Sequence, residues 1–483
     1  MTDVLIINPP CVFSKNVVRD LIYGCCCKGK RIGGTQSPPL NLLHIASVLK
    51  QENHQVTFLD ALAEQRTIEE TGDLARKNNV IIFSTTSMTF MEDIRFLCEI
   101  KKINPSIISI IFGSQPTFMP ESTLKEDSVD IIVRREPEYI IRDLIRSLDN
   151  DDGSWKKVPG IGYKGEGKII LNELYPLIED LDELPFVMRE LLPRNIDYFN
   201  PLVKEMPYTT MMTSRGCPGR CTFCTAPSFY GNKIRSRSVD NILSELEMIQ
   251  QQGYREVWFR DETFTAFKKR NIDLCNGMLD RDIRLSWMCN ARVGSVDREM
   301  LILMKKAGCH LIKFGVESGV QKILDNIGKG ITVDQTREVF RMTRETGIDT
   351  HAHMMLGSPG ETEQTIRTTL DFVKEIDPST VSFGICTPYP GTELFNQVAS
   401  EHPEIRDGSA CDLSRLHENS FFNEYFVRIS PDELGRWLNK AYFSYYFRSS
   451  YVLKTLKRIK SPGELKRVFL AGTNVFQFAL DRD

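Results

Sequence analysis

Short apolar runs alternate with amphipathic segments over the first third of the chain. Strand-like runs cover residues 4–8, 55–60, 80–85, 107–113 and 129–134, and helical patterns between them include residues 40–51 and 90–102. Such alternation predicts an α/β domain with a doubly wound parallel sheet. Sheets of this kind bind ligands at the carboxyl ends of their strands, near a topological switch point.

The same alternation resumes after residue 206, now with longer helices. Strand candidates there are residues 209–213, 256–260, 285–290, 311–316, 350–356 and 380–386. Six βα units predict a partial, TIM-like (β/α)6 barrel whose active site lies at the carboxyl ends of the strands. We therefore expect a first domain over 1–150, a linker with a hairpin over 151–205, a core over 206–395 and a mainly helical region over 396–483.

Composition narrows the class of protein. The chain has 483 residues, 41% of them hydrophobic, and a net charge of -3, which predicts a normal core and no nucleic-acid partner. The sequence has no run of 18 apolar residues, so it predicts no membrane span. Thirteen cysteines without an N-terminal signal pattern indicate a reducing cytoplasm rather than a disulfide framework.

A basic and aromatic stretch near residues 442–467 is open to two interpretations. It is typical of an interfacial helix that lies on anionic lipid. It is also typical of a helix that closes the barrel and keeps a solvated basic face.

Three cysteines carry the most specific chemical signal. Cys217, Cys221 and Cys224 follow the β-prone run 208–212 with the spacing Cys-x3-Cys-x2-Cys. Three thiolates on one loop can hold three irons of a 4Fe–4S cube and leave the fourth iron open to a small molecule. The alternatives are three unrelated thiols or a structural zinc site, although zinc would need a fourth ligand nearby.

With Phe223 before its last cysteine, this loop resembles the signature of the radical S-adenosylmethionine (SAM) superfamily. The resemblance implies that the open iron binds the amino and carboxylate groups of SAM. It further implies that one electron, from a donor such as flavodoxin or ferredoxin, cleaves SAM to a 5′-deoxyadenosyl radical.

The strand ends of the core continue the resemblance. The implied SAM-binding residues are Asp261, Glu262, Arg292, Glu317, Ser318 and Gly357. A carboxylate suits the SAM ammonium, and a guanidinium suits its carboxylate. Capping of the next helix by the acidic pair, and a rim salt bridge for the arginine, remain open. His351 and His353 share one face of a strand, and they either contact substrate or pack outward.

The first third resembles the cobalamin-binding domain fused to many radical SAM enzymes, and it lacks Gly-x-Gly-x-x-Gly after its first strand. The implied cobalamin-binding residues are Ser84, Thr85, Ser87, Gly113, Ser114, Gln115 and Glu136. Ser114, Arg135 and Pro137 stand where the family more often has glycine. Asp-x-His-x-x-Gly is absent, so the resemblance implies cobalt without a histidine below it. A vestigial domain that binds nothing is the alternative.

Together these features predict a cobalamin-dependent radical SAM enzyme with three cofactors: a 4Fe–4S cluster, SAM and cobalamin. We expect it to methylate an unactivated carbon of a small or lipophilic metabolite. Alternatives are a cyclase or oxidative rearrangement enzyme, a methylthiotransferase-like enzyme, and a cobalamin- or redox-sensing iron–sulfur protein. The methylthiotransferase alternative needs a second cluster, for which Cys25-Cys26-Cys27 is the candidate. Peripheral membrane contact is a further possible partnership.

Overall fold

Two parallel sheets organise the protein in a computed structural model. The structure describes residues 2–11, 17, 19, 32–150, 152–406, 408 and 423–480. Cys25-Cys26-Cys27, the candidate site for a second cluster, lies outside these described residues.

The first sheet has seven strands in the order β2-β1-β3-β4-β5-β6-β7. Its strands are β1 Asp3–Asn8, β2 Gln55–Asp60, β3 Val80–Thr85, β4 Ile108–Gly113, β5 Ile131–Val133, β6 Ile161–Gly165 and β7 Lys168–Leu171. The first five are parallel, whereas β6 and β7 are antiparallel additions. The hairpin expected in the linker therefore extends this sheet.

Helices pack on both faces of the first sheet. They are α1 Leu40–Gln51, α2 Ala61–Glu64, α3 Ile68–Ala75, α4 Phe90–Ile103, α5 Ser114–Phe118, α6 Pro120–Leu124 and α7 Pro137–Asp149. One apolar core joins α1 and α7 to the sheet, and a second core joins α3 and α4 to its other face. The chain leaves β1 for β2 on one side and β3 on the other, which creates a switch point between β1 and β3.

The second sheet has six parallel strands in the order β15-β14-β13-β12-β11-β8. These are β8 Tyr208–Met211, β11 Glu256–Phe259, β12 Ser286–Arg292, β13 Cys309–Glu317, β14 Asp349–Leu356 and β15 Thr380–Ile385, and a short hairpin adds β9 Ser214–Arg215 and β10 Arg235–Ser236. The helices are α8 Ala226–Tyr230, α9 Val239–Gln251, α10 Lys268–Asp280, α11 Arg298–Lys306, α12 Gln321–Asn326, α13 Val333–Glu345, α14 Glu363–Ile376 and α15 Glu393–Glu401. This is the predicted partial barrel.

Local sequence explains where the barrel helices start. Ser238, Thr332 and Thr362 each accept a hydrogen bond from a backbone N–H of the first helical turn, and the two threonines complete capping boxes. Thr362 thus caps the N-terminus of α14.

The C-terminal region is helical, with α16 Pro431–Tyr446, α17 Ser449–Arg458 and α18 Pro462–Leu480. The Tyr442 hydroxyl donates to the Phe383 carbonyl and accepts from the Phe383 N–H, at 2.9 and 3.0 Å. Tyr446 bonds the backbone of Val381 in the same way. The helix α16 therefore closes the open edge of the barrel at β15, because its hydroxyls satisfy backbone groups that no strand pairs. Within the described residues, no helix is long and apolar enough to cross a membrane.

Candidate active site

A cavity of about 1070 Å³ runs along the inside of the barrel. The part of its wall that β13 provides takes alternate residues of that strand, Leu311, Lys313, Gly315 and Glu317, as the two-residue period of a strand requires. Both ends of β14 line it, from Asp349 to Met355. The cavity therefore joins the carboxyl ends of the strands, where the cysteine loop lies, to their amino ends.

The loop that carries the three cysteines is held by backbone hydrogen bonds. The Cys217 N–H donates to the Gly231 carbonyl at 3.3 Å, and the Thr222 N–H donates to the Ile327 carbonyl at 3.0 Å. Cys217, Cys221 and Cys224 are partly buried free thiols, and all three line the cavity. The sequence prediction that one loop brings them to one place is consistent with this arrangement.

The three thiols do not form a site for a single metal ion. In the part of the chain that the structure describes, no three His, Cys, Asp or Glu side chains converge closely enough to hold one ion. A Cβ on Gly219 would lie 3.3 Å from Cys217 Sγ and 3.8 Å from Cys221 Sγ, so a larger residue would crowd both thiols. The arrangement fits a multi-iron cluster better than the alternative zinc site, which needs four converging ligands.

Glu262 supplies an unpaired carboxylate to the cavity. Both of its carboxylate oxygens are buried and have no hydrogen-bond partner among the described residues. Burial, and next the charge of Asp261, raises the pKa of Glu262 to about 8. The amides of Glu262 and Gly216 offset this rise in part, without reaching hydrogen-bonding geometry. A buried carboxylate without a partner fits a cationic ligand group such as the SAM ammonium.

Asp261, expected beside Glu262 in the SAM site, has a different role. Its carboxylate accepts from the Thr213 N–H at 2.7 Å, from the Thr213 hydroxyl at 2.5 Å and from the Ser214 hydroxyl at 2.6 Å. It is fully buried and does not line the cavity. Asp261 therefore fixes the strand that leads into the cysteine loop. It does not cap a helix either.

Arg292 and Glu317 line the cavity beside the cysteine loop, as expected. Arg292 donates to the Lys329 carbonyl, and Lys329 Nζ lies 2.7 Å from Glu317 Oε1. Burial alone would lower the pKa of Lys329, but the negative charge of Glu317 and Cys221 outweighs it and raises that pKa. Two cations, Arg292 and Lys329, and two carboxyl groups, Glu262 and Glu317, therefore line the cavity near the carboxyl ends of the strands, and this charge pattern suits a zwitterion.

Ser318 and Gly357, also expected in the SAM site, do not line the cavity. The Ser318 hydroxyl lies 3.1 Å from the Thr369 hydroxyl on α14, so it points to the helix layer. Gly357 donates to the Glu361 carboxylate at 2.6 Å. Burial raises the pKa of Glu361 to about 7, although the N–H groups of Ser358 and Gly357 oppose the rise. These residues shape the rim of the barrel from behind.

His351 and His353 face the cavity, which resolves the question of their direction. Their rings lie 4.5 Å apart, and a hydroxyl of Ser382 bonds both, at 3.1 and 2.8 Å. The His351 ring also bonds Thr380 at 2.8 Å. Burial, then the neighbouring charges of His353 and Lys313, lowers the pKa of His351 well below its usual value. A hydrogen-bonded polar belt, in which His351 is neutral, therefore lies midway along the cavity.

The carboxyl edge of the first sheet carries most of the expected cobalamin residues. Gln115 is fully buried, and neither its amide nitrogen nor its amide oxygen has a hydrogen-bond partner among the described residues. Ser87 and Ser114 are partly exposed beside it. Ser84 is buried and lines a smaller cavity of about 60 Å³ at the end of β1. Gly113 leaves no room for a side chain against the Thr85 carbonyl.

These groups fit a ligand that offers hydrogen-bond donors and acceptors, as the amides and nucleotide tail of cobalamin do. The histidines of this region, His44 and His54, lie elsewhere. His44 is buried on α1, where burial lowers its pKa to about 3. His54 precedes β2 at the opposite edge of the sheet, 3.5 Å from Asp149. The expectation that no histidine of this region lies below the cobalt is consistent with these positions.

Thr85 and Glu136 were expected to bind cobalamin, but both are committed to protein partners. The Thr85 hydroxyl donates to Asp93 at 2.7 Å, and Thr85 is fully buried. Glu136 accepts two hydrogen bonds from Arg235, at 2.7 and 2.9 Å. Beside it, Arg215 donates to Glu138 at 2.6 Å. These buried ion pairs join the start of α7 to the hairpin that leads into the cysteine loop.

The carboxyl edges of the two sheets meet. Met88, which follows β3, lies against the Tyr389 hydroxyl at 3.8 Å. The ring of Phe118, which follows β4, packs so closely on Gly391 that a Cβ there would clash. Tyr389 and Gly391 follow β15, the last strand of the barrel. The ligand-binding edges of both sheets therefore open towards one another.

Sequence reasoning missed three contributors to this region. Lys329 was overlooked, although its position between Gly328 and Gly330 was a signal of close backbone packing. The ion pairs of Arg215 and Arg235 cross between distant segments and left no local pattern. The sequence also did not indicate that α17 and α18 line the cavity at the amino ends of the strands. Their pattern of apolar residues is that of ordinary amphipathic helices.

Comparison with known proteins adds two family matches. The model of the radical SAM superfamily matches residues 211–373. The model of the B12 binding domain matches residues 33–145. Each match falls on one of the two parallel sheets described above.

Curated relatives cover most of the chain. It is 32% identical over 436 residues to an uncharacterized methyltransferase of Pyrococcus horikoshii. The aligned region covers 88% of this chain and 92% of that relative. It is 26% identical over 475 residues to the anaerobic magnesium-protoporphyrin IX monomethyl ester cyclase of Rubrivivax gelatinosus. The aligned region covers 92% of this chain and 82% of that relative.

Solved structures share the fold. The cobalamin-dependent SAM radical enzyme OxsB, with aqua-cobalamin and SAM bound, covers 100% of this chain and 73% of its own, with a TM-score of 0.70 and 19% identity. The radical SAM methyltransferase TsrM of Kitasatospora setae, with cobalamin and a [4Fe-4S] cluster bound, covers 84% of this chain and 76% of its own, with a TM-score of 0.65 and 17% identity.

Proposed function

The chain belongs to the branch of the radical SAM superfamily that carries a B12-binding domain, and we propose that it methylates an unactivated carbon of a small or lipophilic substrate. It is an enzyme whose cofactors are a 4Fe–4S cluster, SAM and cobalamin. The observation that supports methyl transfer most is the contact between the carboxyl edges of the two sheets. A methyl group carried at one edge is then close to a substrate held at the other.

When bound, the cofactors supply the one-electron cleavage of SAM, the abstraction of a hydrogen atom and the delivery of the methyl group. The chain supplies the position of each reactant. Cys217, Cys221 and Cys224 hold the cluster. Glu262 accepts from the SAM ammonium, and Arg292 donates to the SAM carboxylate, since a guanidinium matches that geometry.

Glu317 and Lys329 complete the proposed SAM site. The Glu317 carboxylate accepts from a hydroxyl of the ribose, while Lys329 holds that carboxylate ionised and in place. On the first domain, Ser84, Ser87, Ser114 and Gln115 bond the cobalamin. The edge of that domain, the barrel rim and α16 together exclude water from the reacting carbon.

The substrate occupies the barrel cavity below the cysteine loop. Its walls are largely apolar there, with Leu311, Val381 and Phe383 among them. The polar belt of His351 and His353 gives one or two hydrogen bonds midway. This lining suits a substrate with an apolar body and few polar groups. An electron donor of the flavodoxin or ferredoxin type completes the system.

A cyclase without methyl transfer is the second candidate. The 26% identity to the magnesium-protoporphyrin ester cyclase over 92% of this chain favours it. Both reactions begin with the same hydrogen abstraction, so the same residues serve either outcome. The product distinguishes them, because methylation adds a carbon and cyclisation does not.

The direct experiment uses SAM labelled with a CD3 group. The anaerobically reconstituted enzyme, with a reductant, is incubated with a lipid extract and, separately, with a polar metabolite extract, and the products are analysed by mass spectrometry. We expect one compound to gain a CD3 group in place of hydrogen. The Cys221→Ala variant is the control and gives no labelled product. Loss of hydrogen without label would instead identify the cyclase.

A further inference from the structure

We propose that α17 and α18 dock the enzyme on an anionic phospholipid surface and present a second mouth of the barrel cavity to the lipid. The docking surface, called here the helical platform, consists of the outer faces of residues 449–480. It lies at the amino ends of the barrel strands, away from the cysteine loop.

The helical platform exposes an unusual amount of apolar surface. Eight of the 17 large apolar side chains that are exposed among the described residues lie on the helical platform. They are Val452, Leu453, Leu456, Leu465, Phe469, Leu470, Phe476 and Leu480. Phe469 is 67% exposed and Leu453 is 60% exposed. Val452, Leu456, Leu465 and Phe469 also line one cavity, and exposed apolar side chains that cluster in this way mark a binding site for lipid or protein.

Charge identifies lipid with an anionic headgroup as the partner. Residues 449–480 contain six basic side chains and a single acidic one, Glu464. Lys457, Lys460 and Lys466 are exposed at this surface. Short amphipathic helices that combine large apolar side chains with lysine and arginine bind at the boundary between headgroups and acyl chains.

The cavity opens at this surface. Val452, Leu456, Leu465 and Phe469 line the cavity, and all four are also exposed to solvent. A side chain that is exposed to solvent and also lines the cavity marks an opening. The opening is flanked by Lys457 and Lys460, which also line the cavity. Since a lipid surface would cover it, an apolar molecule could pass from the acyl layer into the barrel.

This entry route rests on the proposed function, because it concerns the substrate of that reaction. Docking itself does not rest on it. Vesicle binding needs no cluster reduction, no SAM cleavage and no turnover, so the two proposals fail separately.

The first experiment is co-flotation of the full-length protein with vesicles. One set contains equal parts of phosphatidylcholine and phosphatidylglycerol, and the other contains phosphatidylcholine alone. We expect flotation with the anionic vesicles, at least tenfold less with the neutral ones, and release at high salt because salt screens the lysines. No flotation, or equal flotation with both vesicles, would overturn the proposal.

Matched variants locate the surface. In L453E/F469E, two exposed apolar residues of the helical platform become acidic, and we expect at least a tenfold loss of flotation. In the control L279E/I302E, two other exposed apolar residues, on α10 and α11, receive the same change, and flotation stays at the wild-type level. Light scattering serves as the second readout. A wild-type dimer that L453E/F469E dissociates would identify a second copy as the occupant and refute lipid docking.

The depth of the cavity mouth in the lipid is measured with brominated lipids, which quench the fluorescence of a tryptophan that lies within the acyl layer. F469W carries a new tryptophan at the mouth, and F267W carries one at an exposed site that begins α10. The expected result is quenching of the added fluorescence in F469W and none in F267W. Equal quenching of both, or of neither, would contradict the placement of the mouth at the lipid.

Discussion

Lys329 Nζ lies 2.7 Å from Glu317 Oε1, in a buried pair beside the cysteine loop. Glu317 adopts a left-handed backbone conformation with φ 66°, and the register between β13 and β14 shifts at this residue. Glu317 lines the cavity on the same face of β13 as Lys313 and Gly315, and the bulge lies at this cavity-lining residue. Backbone strain of this kind persists where the surrounding structure requires it, which agrees with a role in binding.

Removing one partner of this pair leaves a buried charge alone. Glu317→Gln should therefore lower the free energy of unfolding by about 3 kcal/mol and weaken SAM binding. The double variant E317Q/K329M should recover most of that stability without recovering SAM affinity. Thermal unfolding and equilibrium dialysis with SAM measure the two effects. Full recovery of both would mean that the pair is only structural.

Glu262 predicts a pH dependence of stability. Its pKa in the SAM-free protein is about 8, above the ordinary value of 4.5, so the folded state binds more protons than the unfolded state between these values. Wild-type stability should therefore fall, relative to Glu262→Gln, as pH rises from about 5 to 8, and the difference should then level off. Melting temperatures of both proteins across this range test the sign.

Binding of SAM should offset the loss of wild-type stability at high pH. At pH 9 its cationic groups pair with the ionised carboxylate, so SAM should raise the melting temperature of the wild type more than that of Glu262→Gln. An equal rise in both proteins would show that Glu262 does not contact SAM.

The ion pair of Arg215 and Glu138 links the first domain to the cysteine loop. Both side chains are nearly fully buried, at 3% and 2% exposure. Glu138→Gln should lower the free energy of unfolding by about 3 kcal/mol and reduce the iron content after reconstitution. The control is Glu179→Gln, whose pair with Lys233 is exposed and should contribute less than about 1 kcal/mol. Equal effects of the two variants would refute the link.

The hydroxyls of α16 protect the edge strand of the barrel. In Tyr446→Phe, the backbone N–H and carbonyl of Val381 lose their partner, which should lower the free energy of unfolding by about 1–3 kcal/mol. Tyr254→Phe, at a partly buried site after α9, is the control. Hydrogen exchange should also become faster at Val381 in the Tyr446 variant and remain unchanged in the control.

The sequence predicted both sheets because their strands are short, apolar and separated by amphipathic helices. The bounds of β2, β3 and α1 agree to the residue. The directions of side chains at the strand ends were harder to predict from the sequence. Asp261 and Glu262 are neighbours, yet one turns back to Thr213 and the other enters the cavity. Because no regular strand fixes the side-chain alternation there, sequence spacing alone did not separate them.

Long-range pairing accounts for the other differences. Glu136 follows β5, where the sequence predicted a cobalamin ligand, but its partner Arg235 is 99 residues away. Lys329 reaches the active site only because the loop after α12 folds back across the cysteine loop. Neither contact leaves a periodic pattern in the chain.

The most direct test of the proposed function counts the products of SAM during turnover. Methyl transfer consumes one SAM as the methyl donor, which yields S-adenosylhomocysteine, and cleaves a second to 5′-deoxyadenosine and methionine, and the whole turnover takes two electrons from the reductant. The reconstituted enzyme, given its substrate, should form S-adenosylhomocysteine and 5′-deoxyadenosine in equal amounts, each equal to the methylated product. Formation of 5′-deoxyadenosine with no S-adenosylhomocysteine would contradict the methyltransferase and leave the cyclase.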